Sequence, residues 1–196
     1  MSEISPLAPG STTTEQWVNL IKEAQTAADQ QLNQELESYL VFLLMRFTDK
    51  PEMAASLLAI EYLSSMLNQH RPHHNQLRDV GDKCLLYSGF FPHRAQALHV
   101  NISYFVNLGR SAYSQLSSKE RSTEAIMYSH LALAFIPLMD VLQSMRELGD
   151  KNARLSPIHA FELWHDTGSR HAFQTLRSTT QAIPGIPKAS DLAFDS

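Results

Sequence analysis

Leu131-Ala132-Leu133-Ala134-Phe135-Ile136-Pro137-Leu138-Met139 lies within a segment, 117–148, that keeps helical periodicity. Through this run the segment is apolar on nearly every side. A helix of that kind is buried on most of its faces. The stretch therefore predicts a largely buried helix near 125–148 and, around it, other helices to bury it. Pro137 interrupts it, because proline lacks a backbone N–H and its ring clashes with the preceding turn, so a kink is expected there. With the run at 39–45, it is the longest apolar stretch in the chain. Both fall well short of the ~20 residues needed to cross a bilayer.

The neighbouring segments carry the same period. Thr12 and Glu15 form a capping-box pattern ahead of Trp17, Leu20, Ile21, Ala24 and Ala28. The stripe pauses around 30–34 and resumes at Leu36, Tyr39, Leu40, Leu43, Leu44 and Phe47, giving two helices or one bent one. A further stripe runs from Met53 to Leu67 and ends before Pro72. A helix from about His74 to Ser88 turns Leu77, Val80, Gly81, Cys84 and Leu85 inward. The next has Asn101 as its cap, and small residues Gly109 and Ala112 suited to close approach. Ser117 and Glu120 form another capping-box pattern at the head of the central segment, and Gly149 ends it. Ser156-Pro157 opens a last stripe through Phe161, Trp164, Gly168, Ala172 and Leu176. Gly168 is either a packing contact within one helix or the joint between two.

Composition agrees with this pattern. Leucine and alanine far outnumber valine and isoleucine, which favours helix over strand. Seven glycines in 196 residues are too few for a turn-rich sandwich or barrel. The expected architecture is all-α, a single compact bundle of seven or eight helices. It comprises a flexible arm at 1–10, one helical domain at 11–183 and a flexible tail at 184–196. The formal charge of −4 and the absence of a basic stripe speak against nucleic acid as a partner. The single cysteine excludes an internal disulfide. With neither a signal-like N-terminus nor a span, the expectation is a soluble cytoplasmic protein.

Chemistry-bearing residues are sparse. The sequence lacks the glycine patterns of phosphate-binding loops, dinucleotide folds and nucleophile elbows. Nine histidines stand out, and protonating all of them would carry the formal charge from −4 to +5. Glu162 and His165 share a helix face at the Glu-x-x-His spacing that di-iron bundles use twice, but here it occurs once. With His130 and Glu124 they are the candidate metal ligands. Glu61, Asp82 and Asp140 are further acidic partners, and the alternative is an ordinary polar face beside Trp164. His70-Arg71-Pro72-His73-His74 reads as a polar loop between two helices, the alternative being part of a metal site. Asp140 is expected to emerge at the surface where its helix leaves the core, the alternative being a carboxyl held beside the kink with a raised pKa. Thr167-Gly168-Ser169-Arg170 reads as a helix cap, or as backbone N–H groups and an arginine offered to an anion. Two functions fit. The first is an interaction or regulatory module that self-associates, with a protein partner or a second copy as its target. The alternative is a metal- or ligand-binding bundle or enzyme, taking a metal or small molecule around Glu162 and His165.

Overall fold

In a computed structural model of the chain, residues 12–49, 73–93, 100–119, 122–150 and 153–179 are described. The expected arm and tail, the 53–67 stripe, Glu61 and His70 to Pro72 lie outside them. Among the described residues the chain forms eight helices and no strand. They are α1 (Thr13–Ala27), α2 (Gln34–Asp49), α3 (His74–Gly89), α4 (Ile102–Lys119), α5 (Thr123–Leu133), α6 (Phe135–Gly149), α7 (Pro157–Thr167) and α8 (Arg170–Thr179).

Local chemistry sets most of the boundaries. The Thr12 hydroxyl accepts the Glu15 N–H at 3.3 Å, and the Glu15 carboxylate accepts the Thr12 N–H at 2.9 Å. This reciprocal pair is the capping box the sequence announced. The polar pause near residue 30 separates two helices, with Asp29 in the left-handed region at φ 51° and Asn33 Oδ1 accepting the Leu36 N–H. Gly168, at φ 73°, is the joint between α7 and α8, in a conformation that side chains disfavour. The cap ahead of α5 is Ser122, whose hydroxyl accepts the Ala125 N–H at 3.3 Å. Ser117 instead stays inside α4 and donates to the Ser114 carbonyl.

The central segment bends harder than a kink. α5 and α6 meet at 66°. Pro137 explains the place. As the third residue of α6 its missing N–H falls where no intrahelical partner exists, and its ring excludes a continuous helix through the carbonyl four residues earlier. That carbonyl belongs to Leu133, the last residue of α5. Ala134 serves both helices: its N–H donates to the His130 carbonyl, and its own carbonyl accepts the Leu138 N–H.

α6 is the central element. It packs against α1, α3 and α8, and more lightly against α4 and α5. Phe135, Leu138, Met139, Val141 and Leu142 are all fully buried. α3, α4 and α5 form a second contiguous layer, and the α7–α8 hairpin closes against α4 and α6. Burial of the apolar run is not complete, since Leu133 stands 75% exposed at the outside of the bend. Among the described residues, no single helix is long and apolar enough to cross a membrane.

Glycines set the spacing of this core at Gly81, Gly89 and Gly109. A β-carbon at Gly109 would collide with the Phe135 ring and the Cys84 side chain, and one at Gly81 would strike the Tyr113 ring. Close approach at Gly109 was expected from its size, but the Phe135 ring and the Cys84 side chain rather than a neighbouring backbone fill the space. Cys84 is fully buried here, and burial pushes its thiol far above the usual range, helped by the charge of Asp82.

Candidate functional site

Among the described residues, the bundle encloses three polar clusters. The first is centred on Asp82, on the turn of α3 that follows Gly81. Its side chain is 1% exposed. Oδ1 accepts the hydroxyls of Tyr39 (2.5 Å) and Tyr113 (2.7 Å). Oδ2 accepts Arg46 Nη2 and lies 3.7 Å from Arg78 Nε. Three helices, α2, α3 and α4, thus meet on one carboxylate. Burial, followed by the negative charge of Asp82, holds the Tyr39 and Tyr113 hydroxyls well above the ordinary phenol range. They are therefore neutral donors. Tyr113 stacks on Tyr128 at 6.1 Å, and the Tyr128 hydroxyl reaches His74 Nε2 at 3.3 Å.

The second cluster corrects the sequence reading of Asp140. That side chain does not emerge at the surface but is fully buried. It faces the first turn of α8, where its oxygens accept the Ser169 hydroxyl (2.6 Å), the Arg170 N–H (3.1 Å) and the His171 N–H (3.4 Å). Gln30, in the α1–α2 connection, donates to it at 3.0 Å. Burial pushes the Asp140 carboxyl up, against the opposing effects of Ser169, His171 and Gln30. The helix start at Ser169 and Arg170 does meet an anion, and that anion is internal. The Arg170 side chain turns away to the Asp29 carbonyl at 3.5 Å. Above Asp140 lies an open cleft of about 650 Å³, lined by Asp29, Gln30, Ile136, Pro137, Thr167 and Arg170.

The third cluster is a Ser–His–Glu chain. His171 Nδ1 lies 3.0 Å from Ser144 Oγ, and its Nε2 lies 3.0 Å from Glu147 Oε1. The atoms resemble a hydrolytic triad, but Ser144 is 1% exposed and sits mid-helix in α6. An acyl group would have no path to its hydroxyl. Arg146 and Arg154 approach Glu147 at 3.7 and 3.6 Å. Burial lowers the Arg146 guanidinium to about 10, with Glu147 opposing the shift.

The candidate metal ligands find separate partners. His130 Nδ1 contacts Glu35 Oε2 at 2.7 Å. Glu124 lies 4.0 Å from His74. His165 Nδ1 pairs with Asp166 at 3.2 Å. Glu162 lines a small hollow of about 280 Å³ with Asn101, Ser103, His159 and Asp166. Among the described residues, no three or more His, Cys, Asp or Glu side chains converge in a way that could hold a metal ion.

What surrounds His165 is an aromatic face on the α7–α8 hairpin. The Phe161 ring lies 6.0 Å from His165, nearly parallel, and 6.0 Å from Trp164. Trp164 meets Phe173 at 5.4 Å, and the Arg177 guanidinium lies 6.0 Å from the Phe173 ring. Phe161 is 44% and Ile158 64% exposed. On the far edge of α7, Asp166 accepts the Ser103 hydroxyl at 2.7 Å. By contrast Tyr87, Phe105 and Tyr113 are core side chains. No known protein family, curated protein or solved structure matches the chain.

Proposed function

We propose that the protein is a helical interaction module that self-associates through the aromatic face of α7 and α8. The observation that carries this reading is the continuity of that face. Phe161, Trp164, His165 and Phe173 touch in series beside exposed Ile158, with Arg177 over the last ring. Aromatic residues and arginine are the types that dominate binding energy at interfaces. A contiguous apolar patch rimmed by polar groups marks an association surface. Charge favours a second copy as the occupant. Arg177 lies on the α8 edge of the face, and Glu162 and Asp166 lie towards the α4 edge. In an isologous two-fold contact whose axis runs between these two edges, each basic edge falls against the other copy's acidic edge.

Sedimentation velocity over two decades of protein concentration tests the reading. The wild type is expected to show a concentration-dependent monomer–dimer equilibrium. Phe161→Asp places a charge at the centre of the face and should weaken the dimer by about thirtyfold or more, the size of a hot-spot loss. Phe42→Asp, at a 66% exposed site on α2, should leave the equilibrium unchanged. A wild type that stays monomeric throughout, or a dimer indifferent to Phe161→Asp, would overturn it.

A further inference from the structure

We infer that Arg46 and Arg78 form a binding site for a phosphate group, free or as a small monoester, with Asp82 holding the two guanidiniums in place. Asp82 has one oxygen occupied by the two tyrosine hydroxyls, which leaves Oδ2 for both arginines. A guanidinium carries five N–H donors. Arg46 reaches Oδ2 through Nη2, while Arg78 Nε stands beyond hydrogen-bonding distance at 3.7 Å. Among the described residues, the buried Nε of each arginine has no hydrogen-bond acceptor. Two cations therefore share one buried carboxylate oxygen among the described residues.

Position makes the spare donors usable. The Asp82 side chain is 1% exposed, whereas Arg46 is 26% and Arg78 41% exposed. The carboxylate thus anchors the guanidiniums from inside while their outer donors face solvent. Arg46 lies in the last turn of α2 and Arg78 in the second turn of α3. His74, at the first turn of α3, is 40% exposed and adds a ring nitrogen on the same side. Planar forks of N–H groups suit the paired oxygens of a phosphate, and their pre-set orientation lowers the entropic cost of binding. The exposed carboxylate of Glu124, 4.0 Å from His74, is already drawn to this side and competes with an incoming anion.

The test uses the full chain, with inorganic phosphate and glycerol phosphate as probes, titrated calorimetrically against chloride at matched ionic strength. Saturable binding of inorganic phosphate is expected, accompanied by a rise in Tm that chloride does not give. Arg78→Ala should weaken it about tenfold or more, the loss expected for charge-assisted hydrogen bonds, and Arg78→Lys should recover only part. Glu124→Gln should tighten it, and this variant leaves the buried cluster intact if Arg78→Ala fails to fold. Binding of both probes supports a site for phosphate monoesters, and binding of inorganic phosphate alone restricts it to the free ion. The inference fails if neither probe binds saturably. It fails equally if binding is undiminished in folded Arg78→Ala, or if binding is not improved by Glu124→Gln.

Discussion

Asp82→Ala is expected to destabilise the fold by about 3–5 kcal/mol, the range for removing one partner from a buried charged network. The loss is large because one side chain answers several donors. Without it, the Tyr39 and Tyr113 hydroxyls keep their burial and lose their acceptor. Each such orphaned group costs about 1–3 kcal/mol. Arg46 loses its counter-charge at the same time. Urea denaturation, with the m-value checked for constancy, measures the loss. Tyr113→Phe removes a single bond and should cost only about 1 kcal/mol. A double-mutant cycle should then show that the two substitutions are not additive, because they delete the same contact. A cost for Asp82→Ala below about 1 kcal/mol would mean that this carboxylate does not tie α2, α3 and α4 together.

Asp140→Ala should cost a comparable amount, about 3 kcal/mol, by stripping the first turn of α8 and the α1–α2 connection of their common acceptor. Its sharper signature is in pH. Burial holds the folded-state carboxyl above its ordinary value. The folded chain therefore binds this proton more tightly than the unfolded chain does. The contribution of Asp140 to stability is fully present below the ordinary carboxylate pKa and is lost as pH rises through the raised folded value. Asp140→Asn removes that titration. The stability difference between wild type and Asp140→Asn should therefore move in favour of the wild type on acidification from neutral pH. The full pH curve of the wild type is a poorer readout. Asp166 is held low, chiefly by the Ser103 hydroxyl and then by His165, and its contribution is lost as pH falls, the opposite sign. A difference that is flat with pH, or that slopes the other way, would refute the assignment to Asp140.

How much of this was legible beforehand depends on the range of the interaction. The Thr12–Glu15 box, the Pro137 interruption and the Ser156-Pro157 start rest on contacts within one turn, and their spacing is visible in the chain. The class followed from the period of the apolar residues, and so did the burial of Leu138 and Met139. Partner choice did not. Periodicity says which face of α3 Asp82 occupies, but not that Tyr39 and Arg46, from another helix, end there. Asp140 was misplaced for the same reason. Its own helix gives it no partner, so the surface was the natural expectation, whereas its donors come from residues 30 and 169–171. A hint was present in the Thr167–Arg170 segment, which reads as a turn able to receive an anion. What the sequence lacked was any sign that the anion lay about thirty residues upstream in the same chain. The histidines were the opposite case. Their number drew attention to metal chemistry, yet His130, His165 and His171 each settle against a different carboxylate.

The lone thiol of Cys84 also serves as a built-in clock. It sits at the contact of α3 with Gly109 and Phe135, shielded from solvent and held in its unreactive protonated form. No alkylating reagent can reach it without parting α3 from α4. When closing outpaces labelling, the rate of its modification reports the equilibrium population of the opened core; when labelling is the faster process, it reports the opening rate itself. No second cysteine competes for the reagent. The natural chain therefore carries its own probe of core opening, at one defined contact and with no engineered label.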